Sequence, residues 1–327
     1  MKYQALILEE KNGEIVLEYN EVAADGLKDG EVRVKVQYSG INYKDRLAVN
    51  PESRVVRSYP MVPGIDFSGI VHESRSSDFS VGEAVFLTGQ GYGTDRFGGY
   101  QEFVTVKSEE ISRLPQGLTT REAMIYGTAG LTAALSVDAL MLDGGTSDRE
   151  TEILVTGGTG GVSSHAIMIL HKLGCRVTAS SRSADYAEYL KTLGASEVLL
   201  FQSLLEKRKA LSREKWDGIV DATGGAALGN LLTEIRYGGV LAASGNLSGI
   251  SFESTVFPFI LRGITLKGID SVYVTGAKKA EMFEKLGRDW KSDHLEKVVA
   301  REVSFGELKR ELMSENSGKG RVLVVYP

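Results

Sequence analysis

The chain has 327 residues, of which 42% are hydrophobic and 25% charged, an ordinary globular composition with room for two domains. Its net charge of −5 argues against general nucleic-acid binding, which needs a basic surface to displace counterions from phosphates. A single cysteine excludes an intramolecular disulfide, and the sequence has no run of about 18 apolar residues that would predict a membrane span. The N-terminus lacks the pattern of a signal peptide. We expect a soluble cytoplasmic protein with no membrane and no nucleic-acid partner.

The first third of the chain is predicted to be rich in β-strands. Val32, Val34 and Val36 alternate with polar residues, which is the period of a half-buried strand. Residues 81–87 and 100–106 are further predicted strands. We therefore expect the chain to begin with a β-rich domain.

The pattern changes at about residue 123. Residues 123–142 are apolar and suit one or two buried helices, and residues 143–150 are polar and turn-like. Short apolar runs then alternate with helical periodicity. The predicted strands are residues 152–156, 176–180, 197–200, 217–222, 240–244 and 264–269, and the predicted helices are residues 161–173, 184–193 and 228–236. Such repeated strand–helix units predict a doubly wound parallel sheet.

The C-terminal part is predicted to hold two amphipathic helices and a final strand at residues 321–325. We expect this strand to return to the β-rich domain, which would then be discontinuous. The predicted fold is α/β, with a β-rich domain formed by residues 1–122 and 272–327 and a doubly wound domain formed by residues 123–271.

The strongest chemical signal is the segment ILVTGGTGGVSS at residues 153–164. A buried strand leads into a glycine cluster from which a helix starts, and this is the context that a dinucleotide fingerprint requires. Glycines let the backbone approach a pyrophosphate, and the helix N-terminus offers it free N–H groups and partial positive charge. The predicted coenzyme-binding residues of this turn are Gly157, Thr159, Gly160, Gly161 and Val162. Ser163 stands where glycine is usual, and because serine is small we expect only a small adjustment there. The alternative for the whole segment is a tight turn without a ligand.

The residues after the second predicted strand favour NADPH over NADH. In NAD-binding folds, an Asp or Glu about 20 residues after the first glycine binds the ribose 2′-hydroxyl. Residues 176–182 contain no carboxylate, and Ser180, Ser181 and Arg182 follow the strand instead. Hydroxyls and a guanidinium can hold a 2′-phosphate that a carboxylate would repel. The alternative is that Arg182 is a solvated loop residue.

Few residues are available as zinc ligands. Catalytic zinc needs Cys, His and carboxylate ligands with one position open to substrate. The chain has Cys175 and four histidines. His165 and His171 fall on the helix after the glycine turn, and Cys175 opens the next strand, so these are framework positions. We predict no metal site.

Several motifs together carry a family resemblance. They are SGINYKD at residues 39–45, PGIDFSG at 63–69, GTAGLTA at 127–133, PFILR at 258–262 and GIDSV at 268–272, besides the glycine turn. With these motifs the chain resembles the zinc-free quinone oxidoreductase branch of the medium-chain dehydrogenase/reductase superfamily, and within it the acryloyl-CoA reductase-type group. The resemblance covers essentially the full chain. It implies a GroES-like catalytic domain, a Rossmann domain and a homodimer.

The resemblance also implies where the zinc ligands of other members lie. A ligand cysteine falls near residues 41–43 and a ligand histidine near residues 65–66, and both are missing here. Arg46 stands where relatives typically have a small residue, a position from which it can narrow or charge the substrate entrance.

The resemblance implies a substrate cleft between the two domains. Tyr43 is the first choice for a cofactor-facing side chain that can also donate a hydrogen bond, and the alternative is a core tyrosine. Thr128 is expected to contact the nicotinamide carboxamide or ribose, or else to cap a helix. Gly245, Asn246 and Ser271 are implied to line the cofactor, the alternative being ordinary turns at strand ends.

Other residues near the implied cleft have weaker assignments. Asn42 and Asp45 are expected to be structural and to hydrogen-bond their own loop. The glycine-rich loop at residues 88–99 is either a mobile cover for substrate or a flexible surface loop. Three arginines are candidates for holding a CoA phosphate, or else exposed charges: Arg54, Arg57 and Arg262.

Three functions stay open at this point. The first is NADPH-dependent reduction of an acryloyl-CoA-like thioester by metal-free hydride transfer. The second keeps the coenzyme and reduces a quinone or an enal. The third is a dinucleotide-binding sensor without turnover.

Overall fold

The computed structural model describes residues 1–142, 151–314 and 318–327, so the predicted turn at residues 143–150 lies outside the described residues. The strands are β1 (Lys2–Lys11), β2 (Glu14–Ala23), β3 (Glu31–Ile41), β4 (Asp66–Ser74), β5 (Ala84–Thr88), β6 (Phe103–Lys107), β7 (Ser112–Arg113), β8 (Glu152–Val155), β9 (Arg176–Ser181), β10 (Glu197–Leu200), β11 (Trp216–Asp221), β12 (Ile235–Ala243), β13 (Thr265–Gly268), β14 (Val299–Ser304) and β15 (Arg321–Val325). The α-helices are α1 (Tyr43–Ala48), α2 (Thr120–Leu142), α3 (Gly161–Lys172), α4 (Ala187–Thr192), α5 (Gly225–Leu232), α6 (Phe257–Arg262), α7 (Gly276–Gly287) and α8 (Leu308–Met313). Short 3₁₀ helices lie at Pro51–Ser53, Ser108–Glu110, Ala184–Tyr186, Phe201–Leu205, Leu295–Val298 and Phe305–Glu307.

The β-rich part of the chain forms a seven-stranded sheet in the order β14-β15-β3-β4-β5-β7, with β6 also paired to β3. Val32, Val34 and Val36 are fully buried, as their alternation predicted. The strand predicted from residue 81 begins later, as β5, because Val81 is 67% exposed in the preceding turn. The β1–β2 hairpin was not predicted, although Asn12 and Gly13 take the positive φ angles (55° and 84°) of a tight hairpin turn.

The second sheet has six parallel strands in the order β10-β9-β8-β11-β12-β13. This is the strand order of a doubly wound dinucleotide-binding fold. All six predicted strands are present. The helix predicted over residues 228–236 was wrong at its C-terminal end, because α5 stops at Leu232 and Ile235 pairs with Trp216 as the first residue of β12. Ile235 is buried in the core on that side of the sheet, which favours the strand.

The long helix α2 packs against both sheets. It bends at Gly127, whose backbone angles (φ 50°, ψ −152°) are not helical. Among the described residues, its segment Thr120–Met141 is the one helix long and apolar enough to cross a membrane, and 89% of that apolar stretch is buried inside the protein. A buried helix of this kind is the core of the structure.

The C-terminal strand β15 joins the β-rich sheet. It pairs antiparallel with β3, with Leu323 opposite Gly40, and parallel with β14. The two sheets also meet at this point, because the N–H of Gly320 donates to the carbonyl of Thr159 in the glycine turn at 2.9 Å. The boundaries set at residues 122 and 271 stay a prediction.

Candidate coenzyme and substrate site

The candidate site lies at the carboxyl ends of the parallel strands. The glycine turn follows β8, Arg182 follows β9, Gly245 and Asn246 follow β12, and Ser271 lies three residues beyond β13. In sheets with this order, ligands bind beside these ends, where the direction of strand progression reverses. The fold therefore brings these residues to one edge of the parallel sheet, while Tyr43 and Thr128, also expected to contact the coenzyme, lie on α1 and α2.

The glycine turn has the geometry of an anion cradle. Gly157 has a positive φ of 61°, a conformation that favours glycine. The N–H of Gly158 donates to Ser180 O at 2.7 Å, and that of Gly160 donates to Gly157 O at 2.9 Å. Helix α3 then starts after Gly160, which has no side chain to cap it. The first N–H groups of α3 lack intrahelical partners and are left for a ligand.

Ser163 replaces the usual third glycine without disturbing the turn. Its hydroxyl donates to Thr156 O at 2.7 Å, and the residue is fully buried. The hydroxyl thus forms a hydrogen bond with the backbone at the end of β8, where a glycine would only allow close packing. The small adjustment expected from the sequence is this hydrogen bond.

A second turn, after β11, supports the first and was missed by sequence reasoning. The buried carboxylate of Asp221 accepts hydrogen bonds from the Thr156 hydroxyl (2.5 Å), the Thr223 hydroxyl (2.7 Å) and the Gly224 N–H (2.9 Å). A Cβ on Gly245 would lie 2.1 Å from Ala222 O, so the loops after β11 and β12 are in direct backbone contact that only a glycine at this position allows. An aspartate at a strand end followed by Ala-Thr-Gly-Gly was the available signal.

The three residues expected near a 2′-phosphate have different environments. Ser180 is fully buried and its hydroxyl accepts from Gly157 N at 3.3 Å, so it supports the turn from behind. The Ser181 hydroxyl accepts from Ser183 N at 3.3 Å. Arg182 is exposed, with no carboxylate partner among the described residues. Arg182 is therefore the member of the trio free to meet an added phosphate.

A buried polar network links the β-rich sheet to α2, in the region where the resemblance implies the substrate cleft. The Asn42 amide donates to Asp66 Oδ2 (2.8 Å) and Asp45 Oδ2 (3.1 Å), and its oxygen accepts from Arg321 Nη1 (2.7 Å). Asp66 also accepts from the N–H (2.8 Å) and hydroxyl (2.5 Å) of Thr128. Arg321 and Asp66 are 3.7 Å apart, with side chains only 3% and 0% exposed. The network joins the start of α1, β4, α2 and β15. Sequence reasoning did not predict that Asp66 and Arg321 take part in it.

Burial shifts several pKa values in this network. Desolvation, followed by the nearby Asp66 carboxylate, raises the pKa of Asp45 to about 6. Desolvation lowers the pKa of Arg321, opposed by the charges of Asp66 and Asp45. Desolvation, and then the positive charge of Arg321, lower the pKa of His165 to about 3. This histidine is therefore neutral near pH 7 and has no proton to donate as a general acid.

Three side chains expected to line the cleft, those of Tyr43, Thr128 and Ser271, have different surroundings. Tyr43 is the first residue of α1 and is 58% exposed, so it is not a core tyrosine. The hydroxyl of Thr128 is already bound to Asp66, and Thr128 O accepts from the Thr132 hydroxyl at 2.7 Å. That hydroxyl lies 2.9 Å from Ser271 Oγ. Thr128 and Ser271 thus belong to one chain of hydrogen bonds, while the phenol of Tyr43 has no described hydrogen-bond partner.

Two further expectations about the cleft were wrong. Arg46 does not point toward a substrate entrance, because its guanidinium donates to Glu311 O (2.8 Å), Ser314 O (2.9 Å) and Glu311 Oε1 (2.8 Å) at the C-terminal end of α8. The guanidinium of Arg262 likewise donates hydrogen bonds within the protein, to Thr233 O (2.7 Å) and to the backbone carbonyl of Ser212. A guanidinium surrounded by carbonyls is saturated and offers nothing to a phosphate.

The glycine-rich loop at residues 88–99 is held in place rather than free. Arg96 binds both oxygens of Glu110 (2.6 and 2.8 Å), and the Tyr92 hydroxyl donates to the same carboxylate (2.7 Å). At the start of the loop, the buried ammonium of Lys279 donates to Thr88 O at 2.6 Å, and desolvation lowers the pKa of this lysine to about 8. These contacts attach the loop to the segment after β6 and to α7, and a role as a cover for substrate stays a prediction.

The residues near the implied zinc position do not fit zinc. The resemblance places the zinc ligands of other members near Asn42 and Asp66, and here these side chains bind each other and Arg321. An amide is a poor zinc ligand, and a neighbouring guanidinium disfavours a second cation. In the parts of the chain that the structure describes, no group of three or more His, Cys, Asp or Glu side chains could hold a metal ion.

Comparisons with known proteins agree with this arrangement. The chain matches the family profile of the alcohol dehydrogenase GroES-like domain over residues 28–116 and that of zinc-binding dehydrogenases over residues 161–290. The acrylyl-CoA reductase AcuI of Ruegeria pomeroyi is 40% identical over 300 residues, 91% of each chain. The crystal structure of YhfP of Bacillus subtilis with NAD bound is 42% identical, with a TM-score of 0.94 over 99% of each chain. The structure of the YhdH oxidoreductase of Salmonella enterica in complex with NADP is 38% identical, with a TM-score of 0.92 over 98% of this chain and 99% of the other.

Proposed function

This chain belongs to the medium-chain dehydrogenase/reductase superfamily, in the group of its acryloyl-CoA reductase-type members, and we propose that it reduces an activated carbon–carbon double bond with NADPH. The preferred substrate in this proposal is an acryloyl-CoA-like conjugated thioester, supported by the name of the Ruegeria relative. The predicted combination of a GroES-like domain and a Rossmann sheet is confirmed. The reaction runs in the cleft between them.

One observation carries the proposal: the glycine turn lies open at the reversal point of the parallel sheet, with a helix N-terminus behind it. Gly160 is exposed, and the α3 amides after it have no side-chain cap. These groups suit the diphosphate of a dinucleotide. A 2′-phosphate is accommodated beside Arg182, since residues 176–182 carry no carboxylate to repel it.

We propose Tyr43 as the hydrogen-bond donor to the substrate. Bound NADPH supplies a hydride from C4 of its nicotinamide to the β-carbon of the alkene. Negative charge would then develop on the carbonyl oxygen, where a preorganised donor would lower the barrier by about 3 kcal/mol. A proton from a side chain or from water would complete the reduction at the α-carbon. The Tyr43 phenol, half-exposed and free of described partners, is available for this contact. Thr128, Gly245, Asn246 and Ser271 are proposed to line the nicotinamide half of the coenzyme.

We propose that the reaction needs no metal. The Asn42–Asp66–Arg321 network fills the region where zinc-containing relatives have ligands, and it supplies a buried cation of its own. Elemental analysis of the active protein tests this proposal. Less than about one zinc in ten chains, with full activity after dialysis against a chelator, is expected, and activity proportional to zinc content contradicts it.

We propose a homodimer built on the edge strand β13. Within the described residues this strand is the last of its sheet and pairs there with β12, and an edge strand can accept a symmetry-related strand. The neighbouring segment exposes Val256 (63%), Ile260 (69%) and Ile250 (86%), an apolar surface that a second copy would cover. Light scattering should give about twice the chain mass of 35.4 kDa. A cytoplasmic location is proposed because the coenzyme pool is there.

A parallel assay of substrates tests the function. NADPH oxidation is followed with acryloyl-CoA, crotonyl-CoA, a simple enone and a benzoquinone, and the series is repeated with NADH. We expect the highest kcat/KM with acryloyl-CoA and NADPH. A preference for NADH contradicts the coenzyme assignment, and turnover with the quinone alone contradicts the thioester.

The second candidate function is reduction of a quinone or an enal. It is favoured by YhfP, a relative 42% identical over 325 residues that is provisionally named a quinone oxidoreductase. A non-catalytic NADPH sensor is the third. It predicts tight binding of NADPH without oxidation by any acceptor in the assay.

A further inference from the structure

We propose that Lys319, in the segment leading into β15, binds the 2′-phosphate of NADPH together with Arg182. The C-terminal strand of the β-rich sheet would then contribute to coenzyme specificity from outside the parallel sheet. This inference rests on the proposed function, because it takes the coenzyme to lie along the glycine turn.

The segment before β15 lies against the coenzyme edge of the parallel sheet. The N–H of Gly320 donates to Thr159 O within the glycine turn at 2.9 Å. Gly318 has a φ of 81°, and a Cβ there would lie 2.8 Å from the hydroxyl of Tyr186, just after β9. The intervening residue, Lys319, therefore sits between the turn and the residues that follow the second strand.

The side chain of Lys319 is held in this position without being neutralised. Its ammonium lies 5.3 Å from the centre of the Tyr189 ring, which is a cation–π contact. Among the residues that the structure describes, no carboxylate lies within ion-pair distance of it. The neighbouring Glu188 pairs with Lys191 at 3.0 Å, and Asp185 accepts from the Ser183 hydroxyl at 2.9 Å. Lys319 thus keeps an unpaired positive charge at the rim of the site.

The Tyr189 side chain that Lys319 contacts is itself linked to the glycine turn through Ser164. The Tyr189 hydroxyl lies 3.5 Å from Ser164 Oγ, which donates to Gly158 O at 3.0 Å. Arg182, directly after β9, is also exposed and also lacks a carboxylate partner among the described residues. In this fold the ribose 2′ position lies beside the end of the second strand. Two unpaired cations there suit a phosphate that carries nearly two negative charges.

Binding of the coenzyme to the variants Lys319→Gln and Lys319→Arg tests the assignment. Dissociation constants for NADPH and NADH are measured by calorimetry at one fixed ionic strength, with Lys309→Gln as the control, because Lys309 is an exposed lysine on α8. We expect Lys319→Gln to weaken NADPH binding by about five- to tenfold and to leave NADH within about twofold, since NADH lacks the 2′-phosphate. Lys319→Arg should retain most of the NADPH affinity, and the control should change neither constant.

Other outcomes overturn the inference in distinguishable ways. Equal weakening for NADPH and NADH would assign Lys319 to the diphosphate or to the fold of its segment. Unchanged constants for both coenzymes would make it an ordinary surface lysine. If the unmodified protein binds neither coenzyme, the proposed function itself fails and this inference fails with it.

Discussion

The side-chain amide of Asn42 donates to the carboxylate of Asp66 at 2.8 Å, and this contact attaches the start of α1 to β4. Asp66 is fully buried and lies 3.7 Å from the buried guanidinium of Arg321. A buried ion pair adds little net stability over apolar packing, but removal of one partner leaves the other charge uncompensated. The network is therefore sensitive to any single change.

Substitution of Asp66 tests this sensitivity. Asp66→Asn preserves shape and removes the charge beside Arg321, so the free energy of unfolding should fall by about 3–5 kcal/mol. Urea denaturation measures this change. Asp29→Asn is the matched control, since the Asp29 side chain is 99% exposed, and should cost less than about 0.5 kcal/mol. A loss below about 1 kcal/mol in Asp66→Asn would mean that Arg321 is compensated by carbonyls alone.

Asp45 makes stability depend on pH in an unusual direction. Burial raises its pKa to about 6 in the folded protein from an ordinary value of 3.8, so between these values the folded state binds more protons than the unfolded state. Its contribution is therefore fully present below about pH 4 and is lost as the pH rises through about 6, with a total on the order of 2–3 kcal/mol. The difference in unfolding free energy between the unmodified protein and Asp45→Asn should shift by this amount between pH 4 and pH 7, in favour of the unmodified protein at pH 4. A difference that does not change with pH contradicts the raised pKa.

A negative charge at the start of α3 should abolish coenzyme binding without harming the fold. Gly160 has an ordinary φ of −73°, and the nearest atom to a Cβ there is 3.4 Å away. Gly160→Asp places a carboxylate where the diphosphate would bind, while Asp is a favourable N-cap. We expect the dissociation constant for NADPH to rise more than about tenfold at an unchanged melting temperature. Gly160→Ala is the steric control and should stay within about threefold of the unmodified protein. Equal affinities in the two variants would place the diphosphate elsewhere.

Arg46 is predicted to stabilise the fold and to leave substrate access alone. Arg46→Met removes the donors to Glu311 and Ser314, and we expect a loss of about 1–3 kcal/mol in unfolding free energy with KM values within about twofold. Arg310→Met is the control, because that side chain is 81% exposed and its ion pair among the described residues is with nearby Glu307. An altered KM for the thioester at unchanged stability would return Arg46 to the substrate entrance.

The sequence predicted the parallel sheet better than the cleft, for a physical reason. Strands buried on both faces appear as short apolar runs, so all six could be located, and the glycine turn is a local motif. The Asn42–Asp66 and Asn42–Arg321 contacts join residues that are 24 and 279 positions apart, and no local pattern encodes them. The side chain of Arg46 was misplaced for the same reason, since its partners at the end of α8 lie about as far away in sequence.

A crystal structure of the protein with NADPH tests the central claim most directly. We expect the diphosphate within hydrogen-bond distance of the backbone N–H groups at Gly161 and Val162, and the nicotinamide beside Tyr43 and Thr128. A coenzyme bound elsewhere, with the glycine turn filled by protein side chains, would contradict the account.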